Sequence, residues 1–437
     1  MRALAPALLI AGIAAPVSAQ PGIAPLSGVA ARAAALIPIL NGGGAPAEIF
    51  TAAFLTDVPE PRLRAIAAQL AAQYGRAERI GRITPAGGTR YDLTITYAQA
   101  DVAATLTLEP AAPARIAGLR ITGGSARLPD LNAVVAALRT LPGATGLAVA
   151  RLGDGAPALL AARDADRPQA IGSTFKLLVL AELVGAIDAG TRRWTDVVPL
   201  TVRAVPSGIL QDWPQDAPLT LHSLAALMIS RSDNSATDTL VALLGRDRVA
   251  AMAGPLGWPA HPGNDPLLTT LEAAKLKAAA GGTLAVRYAG AGPADRRALL
   301  AGPVAALSRD AIDVATLETR PSAIATIEWF ASPNAVVHTL DWFRRTAARP
   351  GSAAAIALAL LAINPALPRT DAARFAYVGY KGGSEAGVLA LSYLLRTPGG
   401  TWYAVSASWN DPVATVAEAR MTALVTRAVQ LVAGDDR

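Results

Sequence analysis

Hydrophobic and polar positions divide the chain into stretches of different period. Residues 3–17 are apolar behind a lone basic residue, Arg2, and Val17-Ser18-Ala19 sets small side chains before Gln20, the layout of a cleavable signal peptide over residues 1–19. The run is shorter than the ~20 residues that cross a bilayer, and Pro6 and Pro16 interrupt it. Apolar residues next recur at helical spacing over 26–40, 47–55 and 62–73, with a Gly42-Gly43-Gly44 break after the first. From residue 79 the period falls to two. Segments 79–83, 89–97, 103–109 and 115–122 alternate apolar and polar residues between Gly, Pro or Ala-Asp turns, predicting an antiparallel meander. Helices followed by strands make a small α+β domain over 20–124, and Gly123-Gly124-Ser125 reads as the linker that closes it.

A second domain is expected over 128–437. Its pattern predicts helices at 129–138, from Lys176 to about 187, and at 224–229, 294–307, 311–317, 334–346 and 413–432. Strands are expected at 146–152 and 158–163 around Gly153-Asp154-Gly155, from 375–378, and at 387–395.

Composition narrows the chemistry. With 52% hydrophobic and 16% charged residues the chain must bury a core and cannot be a disordered tail. The absence of cysteine removes thiol nucleophiles, disulfides, thiolate metal sites and lipid attachment after the signal. His222, His261 and His338 are too far apart for a two-histidine helical metal motif, so neither a metal nor a cofactor is expected. The net charge of +6 is dispersed and aromatic content is low, which argues against a nucleic-acid partner. Lysine occurs only at Lys176, Lys275, Lys277 and Lys381 in an otherwise arginine-based cation set. A lysine kept in such a chain points to chemistry that guanidinium, which does not deprotonate, is unable to do.

Three short motifs bear on that chemistry. Ser173-Thr174-Phe175-Lys176 opens a predicted helix and puts a hydroxyl and an amine on one face, within reach of each other. A lysine becomes a base for serine when desolvation and neighbouring positive charge lower its pKa, and a helix N-terminus offers N–H groups to an oxyanion. Ser232-Asp233-Asn234 follows the helix at 224–229 and taken alone is a capping turn. Tyr380-Lys381-Gly382-Gly383-Ser384 taken alone is a glycine-rich hairpin turn with a solvated lysine.

In this order the three motifs resemble those of the class A β-lactamases and penicillin-binding proteins. The resemblance implies a β-lactamase/transpeptidase-like α+β fold, a five-stranded antiparallel sheet flanked by helices. It implies that Ser173 is the acylated nucleophile, Lys176 its general base and Ser232 a proton shuttle. Lys381 would hold Ser232 and a substrate anion, and Asn234 would bind substrate or Lys176. The backbone N–H groups of Ser173 and Ser384 would form the oxyanion hole, with the Ser384 hydroxyl open to a substrate carboxylate, and Asp233 would be structural. The leading α+β segment is similar to cone-shaped cyclase or transport-factor-like domains. Together the two parts look like the exported two-domain serine hydrolases related to the clavulanic-acid-pathway esterase-like protein.

One departure bears on activity. Class A enzymes carry a Glu-x-x-Leu-Asn loop whose glutamate activates the deacylating water, and no such segment follows Ser232 here. The nearest glutamate, Glu272, fits a capping box with Thr269. The expectation is a periplasmic or secreted serine hydrolase with no membrane anchor after signal cleavage, acting on a small ester or amide and slowly on β-lactams. The alternatives are a true β-lactamase, a D,D-peptidase, or a pseudoenzyme that binds cell-envelope ligands. Trp329-Phe330 and Trp342-Phe343 are expected in the core, and Arg420 on the terminal helix is a candidate partner for a substrate carboxylate.

Overall fold

A computed structural model describes residues 26–110, 114–279 and 282–434. The expected signal peptide lies outside them. Short helices Leu26–Ala34, Leu36–Leu40, Pro46–Ile49 and Ala52–Asp57 precede a longer one, α1 (Glu60–Tyr74). The chain then forms an antiparallel four-stranded meander: β1 (Ala77–Pro85), β2 (Arg90–Tyr97), β3 (Ala100–Leu108) and β4 (Ile116–Ala126). Strict alternation of buried and half-buried positions along β3 explains the one-sided core. Val102, Leu106, Tyr91 and Ile95 face Phe50, Phe54, Leu63 and Leu70, while Thr105 and Thr107 face away.

The expected linker is corrected by the structure: Gly123, Gly124 and Ser125 lie inside β4. These glycines give clearance instead of flexibility. A Cβ on Gly124 would sit 2.8 Å from Tyr74 Oη, and one on Gly123 would sit 2.9 Å from Pro368 Cγ. Gly124→Ala is therefore expected to lower stability by about 1–3 kcal/mol through overpacking, read as a lower denaturation midpoint. An unchanged midpoint would restore the linker reading.

After helix α2 (Leu131–Arg139) come β5 (Ala144–Leu152), β6 (Ala158–Arg163) and the short β7 (Gln169–Ala170). Helix α3 (Lys176–Asp188) leads to a small hairpin of β8 (Val197–Pro199) and β9 (Pro218–Thr220), a helix Leu221–Ser230, and α4 (Asn234–Leu244). Next are α5 (Thr270–Ala278), β10 (Phe330–Ala331), α6 (Pro333–Ala347), β11 (Tyr377–Glu385), β12 (Val388–Arg396), β13 (Trp402–Asn410) and α7 (Glu418–Val432). One sheet runs β11-β12-β13-β5-β6, antiparallel throughout, and β7 pairs with β10 beside it.

Helices cover both faces of this sheet, so its central strands are buried at nearly every position. Leu389, Leu391, Tyr393 and Leu395 of β12 pack with Val134 and Leu138 of α2 and with Val425 and Val429 of α7. Ala390 and Leu394 face the opposite core, which holds Phe175, Leu177, Leu340 and Phe343. In β13, Val405, Ala407 and Trp409 alternate with Ser406, Ser408 and Asn410, yet residues 403–409 are all buried. The terminal helix, expected from residue 413, begins at Glu418, because Asp411 turns the chain by accepting the N–H groups of Val413 and Ala414.

Two other helices differ from expectation. The helix expected at 294–307 is Pro293–Leu299 followed by a π turn, Leu300–Val304, that contains Pro303. The one expected at 311–317 starts at Val314, where the Asp313 side chain caps it. Helix α7 also touches the first sheet: Ala423 joins its core, and Ser125 Oγ donates to Gln430 Oε1 at 2.7 Å. Among the described residues no helix is long and apolar enough to cross a membrane.

Candidate active site

The β7–β10 pairing ends with Ile171 N–H donating to Trp329 O at 2.9 Å, and the chain then enters a 3-10 turn, Gly172–Phe175, that runs into α3. Phe175 stacks flat on Trp329, ring centroids 4.0 Å apart. Residues 176–184 of α3 are buried on every side, so Lys176 leaves the turn directly into a dry interior. Burial drives its pKa down to about 7 against the opposing pull of Asp238 and Asp233.

Its ammonium is held by three acceptors: Ser232 O at 2.6 Å, Asn234 Oδ1 at 2.7 Å and Ser232 Oγ at 3.2 Å. Ser232 occupies the left-handed region, with φ of +54°, a conformation uncommon for serine and worth attention at a site. Asp233 anchors that kink. It caps α4 through Ala236 N–H and accepts Ile209 and Leu210 N–H at 2.6 and 3.0 Å. Gly208 lets this happen: its φ is +118° and a Cβ there would collide with the Asp233 carboxylate.

Lys381, on β11, donates to Ser232 Oγ at 3.1 Å and to Gly382 O. Ser232 Oγ therefore lies between two buried lysines. Burial, and then the neighbouring Lys176 cation, hold Lys381 well below the usual lysine range. Two ammonium groups facing one hydroxyl repel, so the cluster favours a state in which one amine is neutral.

Tyr380–Ser384 is not a hairpin turn. It lies within β11, and the turn comes at Ala386 and Gly387. A Cβ on Gly383 would collide with Ile171 O and with the Ser173 N–H. This glycine lets the strand backbone press against the 3-10 turn, bringing the Ser384 segment beside Ser173.

A cavity of about 390 Å³ opens here, lined by Ser173, Asn234, Ser384, Thr270, Trp329 and Glu385 among others. Of the expected residues, Lys176, Ser232, Asn234 and Lys381 are joined by hydrogen bonds, and Ser173, Asn234 and Ser384 share the cavity wall. Among the described residues no hydrogen bond joins Ser173 Oγ to Lys176 Nζ, a contact that often tightens only when substrate is bound. Arg420 is exposed, donates to Thr140 Oγ1 at 3.3 Å and does not line the cavity. Trp329, expected in the core, is buried yet also forms cavity wall. Glu272 forms the expected capping box with Thr269 and an ion pair with Arg246 at 2.6 Å.

The sequence reading missed a second polar cluster. Lys277 Nζ pairs with Glu328 Oε1 at 2.5 Å and with Glu385 Oε2. The scarcity of lysine that singled out Lys176 and Lys381 pointed equally at Lys277.

Residues 129–289 match the sequence profile of the beta-lactamase enzyme family. This part of the chain is similar to the β-lactamase-like superfamily. Solved structures similar to the chain include a beta-lactamase from Sphaerobacter thermophilus DSM 20745, at 24% identity over 69% of this chain and 96% of that one, TM-score 0.49. PBP-A is similar at 16% identity over 70% and 95%, TM-score 0.49. A beta-lactamase from Chitinophaga pinensis DSM 2588 is similar at 16% identity over 70% and 98%, TM-score 0.47. No curated protein matches the chain significantly. The β-lactamase-like profile spans the Ser173 and Ser232 motifs, whereas Lys381 lies beyond its end.

Proposed function

We propose that the chain is an exported serine hydrolase, a periplasmic or secreted protein after loss of residues 1–19, with a leading domain that runs through the end of β4 at Ala126 and a second over 128–437. Its substrate is a small ester or amide, and β-lactams are turned over slowly. Ser173 Oγ attacks the acyl carbon while neutral Lys176 takes its proton. The N–H groups of Ser173 and Ser384 hold the oxyanion. Ser232 passes the proton to the departing alcohol or amine, Lys381 polarises Ser232, and Asn234 fixes Lys176 and the substrate.

The observation that carries this reading is the placement of Ser232 Oγ at 3.2 Å from Lys176 and 3.1 Å from Lys381, with Lys176 brought to about 7 by burial. A binding protein has no use for an amine desolvated beside a hydroxyl relay.

The test exposes purified mature protein to penicillin G and, separately, to a short-chain p-nitrophenyl ester while intact mass is followed. Steady ester turnover with a long-lived penicillin adduct is the expected result. Rapid repeated penicillin hydrolysis would replace the reading with a true β-lactamase, and no reaction with either compound would replace it with a ligand-binding protein.

A further inference from the structure

The Lys277–Glu328–Glu385 cluster joins three walls of the Ser173 cavity. Lys277 comes from α5, Glu328 immediately precedes Trp329, and Glu385 ends β11 directly after Ser384. The Lys277 and Glu328 side chains are 1% and 0% exposed, whereas that of Glu385 is 19% exposed and lines the cavity. Glu328 is spent on both sides, with Oε1 on Lys277 and Oε2 accepting from Trp329 N–H at 3.4 Å. Glu385 Oε2 takes the Lys277 ammonium, and the Glu385 carboxyl also meets that of Glu328, whose pKa burial and this neighbour raise to about 8.

A carboxylate oriented by a buried cation and still open to the cavity can present an oxygen to a water bound there. Two more carboxylates line the same cavity, Glu318 and Glu418. Glu318 is exposed to solvent, and burial pushes the Glu418 carboxyl up towards its neutral form. Glu385 differs in its place: it ends β11 directly after Ser384, and Gly383 of the same strand lies against the Ser173 turn.

We infer that Glu385 is the general base that activates water for release of the acyl group from Ser173, with Lys277 and Glu328 positioning its carboxylate. This assignment rests on the serine-hydrolase reading above. In the step, the water oxygen bonds to the acyl carbon as one of its protons passes to Glu385. The bond from that carbon to Ser173 Oγ breaks, the proton is returned to Oγ, and a carboxylic acid leaves.

Glu385→Gln keeps the shape and an acceptor for Lys277, and Lys277 keeps Glu328, so the variant is expected to fold. With a p-nitrophenyl ester followed by stopped-flow absorbance and intact mass, it is expected to release one equivalent of nitrophenol at a rate within about threefold of the parent. It should then stall as a Ser173 acyl adduct, with deacylation slowed by about 10²–10³-fold. Glu328→Gln, in contrast, should retain turnover within about tenfold of the parent and accumulate less adduct, because the base itself remains.

Steady-state turnover of Glu385→Gln within threefold of the parent would overturn the assignment. So would equal slowing of acylation and deacylation, the mark of a purely structural bridge, or adduct trapping by Glu318→Gln or Glu418→Gln instead. If the parent protein neither forms an adduct nor turns over the ester, the serine-hydrolase reading fails first and the assignment with it.

Discussion

Ser173→Ala protein should show no mass gain with penicillin or ester, and its ester kcat/KM should fall by at least about 10³-fold. The expectation follows from covalent chemistry: alanine leaves the cavity, the buried lysines and the N–H groups in place but supplies no atom to acylate. Removing a nucleophile from such a machine leaves only the residual catalysis of binding and oxyanion stabilisation. Ser173 is 5% exposed, and its hydroxyl is not needed by any neighbour for a hydrogen bond among the described residues, so the variant should unfold at the parent's midpoint. Ester turnover that survives in folded Ser173→Ala protein would move the nucleophile elsewhere.

The second large effect is a pH dependence. As the proposed base Lys176 must be neutral to accept the serine proton, and burial brings its pKa down to about 7. Activity should therefore rise with pH and level off above about 8. The neutral fraction at pH 5 is lower than at pH 8 by a factor on the order of a hundred, and kcat/KM for the ester should follow it. The sign is that of a base: the active form is the deprotonated one, so acid inactivates. Lys176→Arg should lose at least about 10³-fold at every pH, since guanidinium stays charged. A flat profile between pH 5 and 8, measured under conditions in which the protein remains folded, would exclude Lys176 as the base.

Residues whose roles depend on neighbours in sequence were the ones legible beforehand. Ser173 and Lys176 are one turn apart, and Ser232, Asp233 and Asn234 share one kink between helices. Their proximity is thus written in consecutive letters, and lysine scarcity marked the third motif. The five-stranded sheet was inferred from resemblance, whereas β13 went unassigned although Val405, Ala407 and Trp409 alternate with Ser406, Ser408 and Asn410. The glycines at 123 and 124 were misread because the sequence alone cannot distinguish a glycine chosen for freedom from one chosen for clearance against Tyr74 and Pro368. Lys277, Glu328 and Glu385 lie on three separated segments and meet only in the folded chain, so no local pattern joined them.

Helix α7 serves two masters. Its Val425 and Val429 complete the core under the five-stranded sheet, while Ala423 and Gln430 are committed to the meander before it. A single rigid rod shared in this way makes the thermal history of the two sheets common property: heat that loosens the meander removes a neighbour from the helix that braces β11–β13, and with them the bed on which Lys381 lies. The leading sheet is thereby part of the thermal insurance of the five-stranded sheet, whatever ligand it does or does not hold.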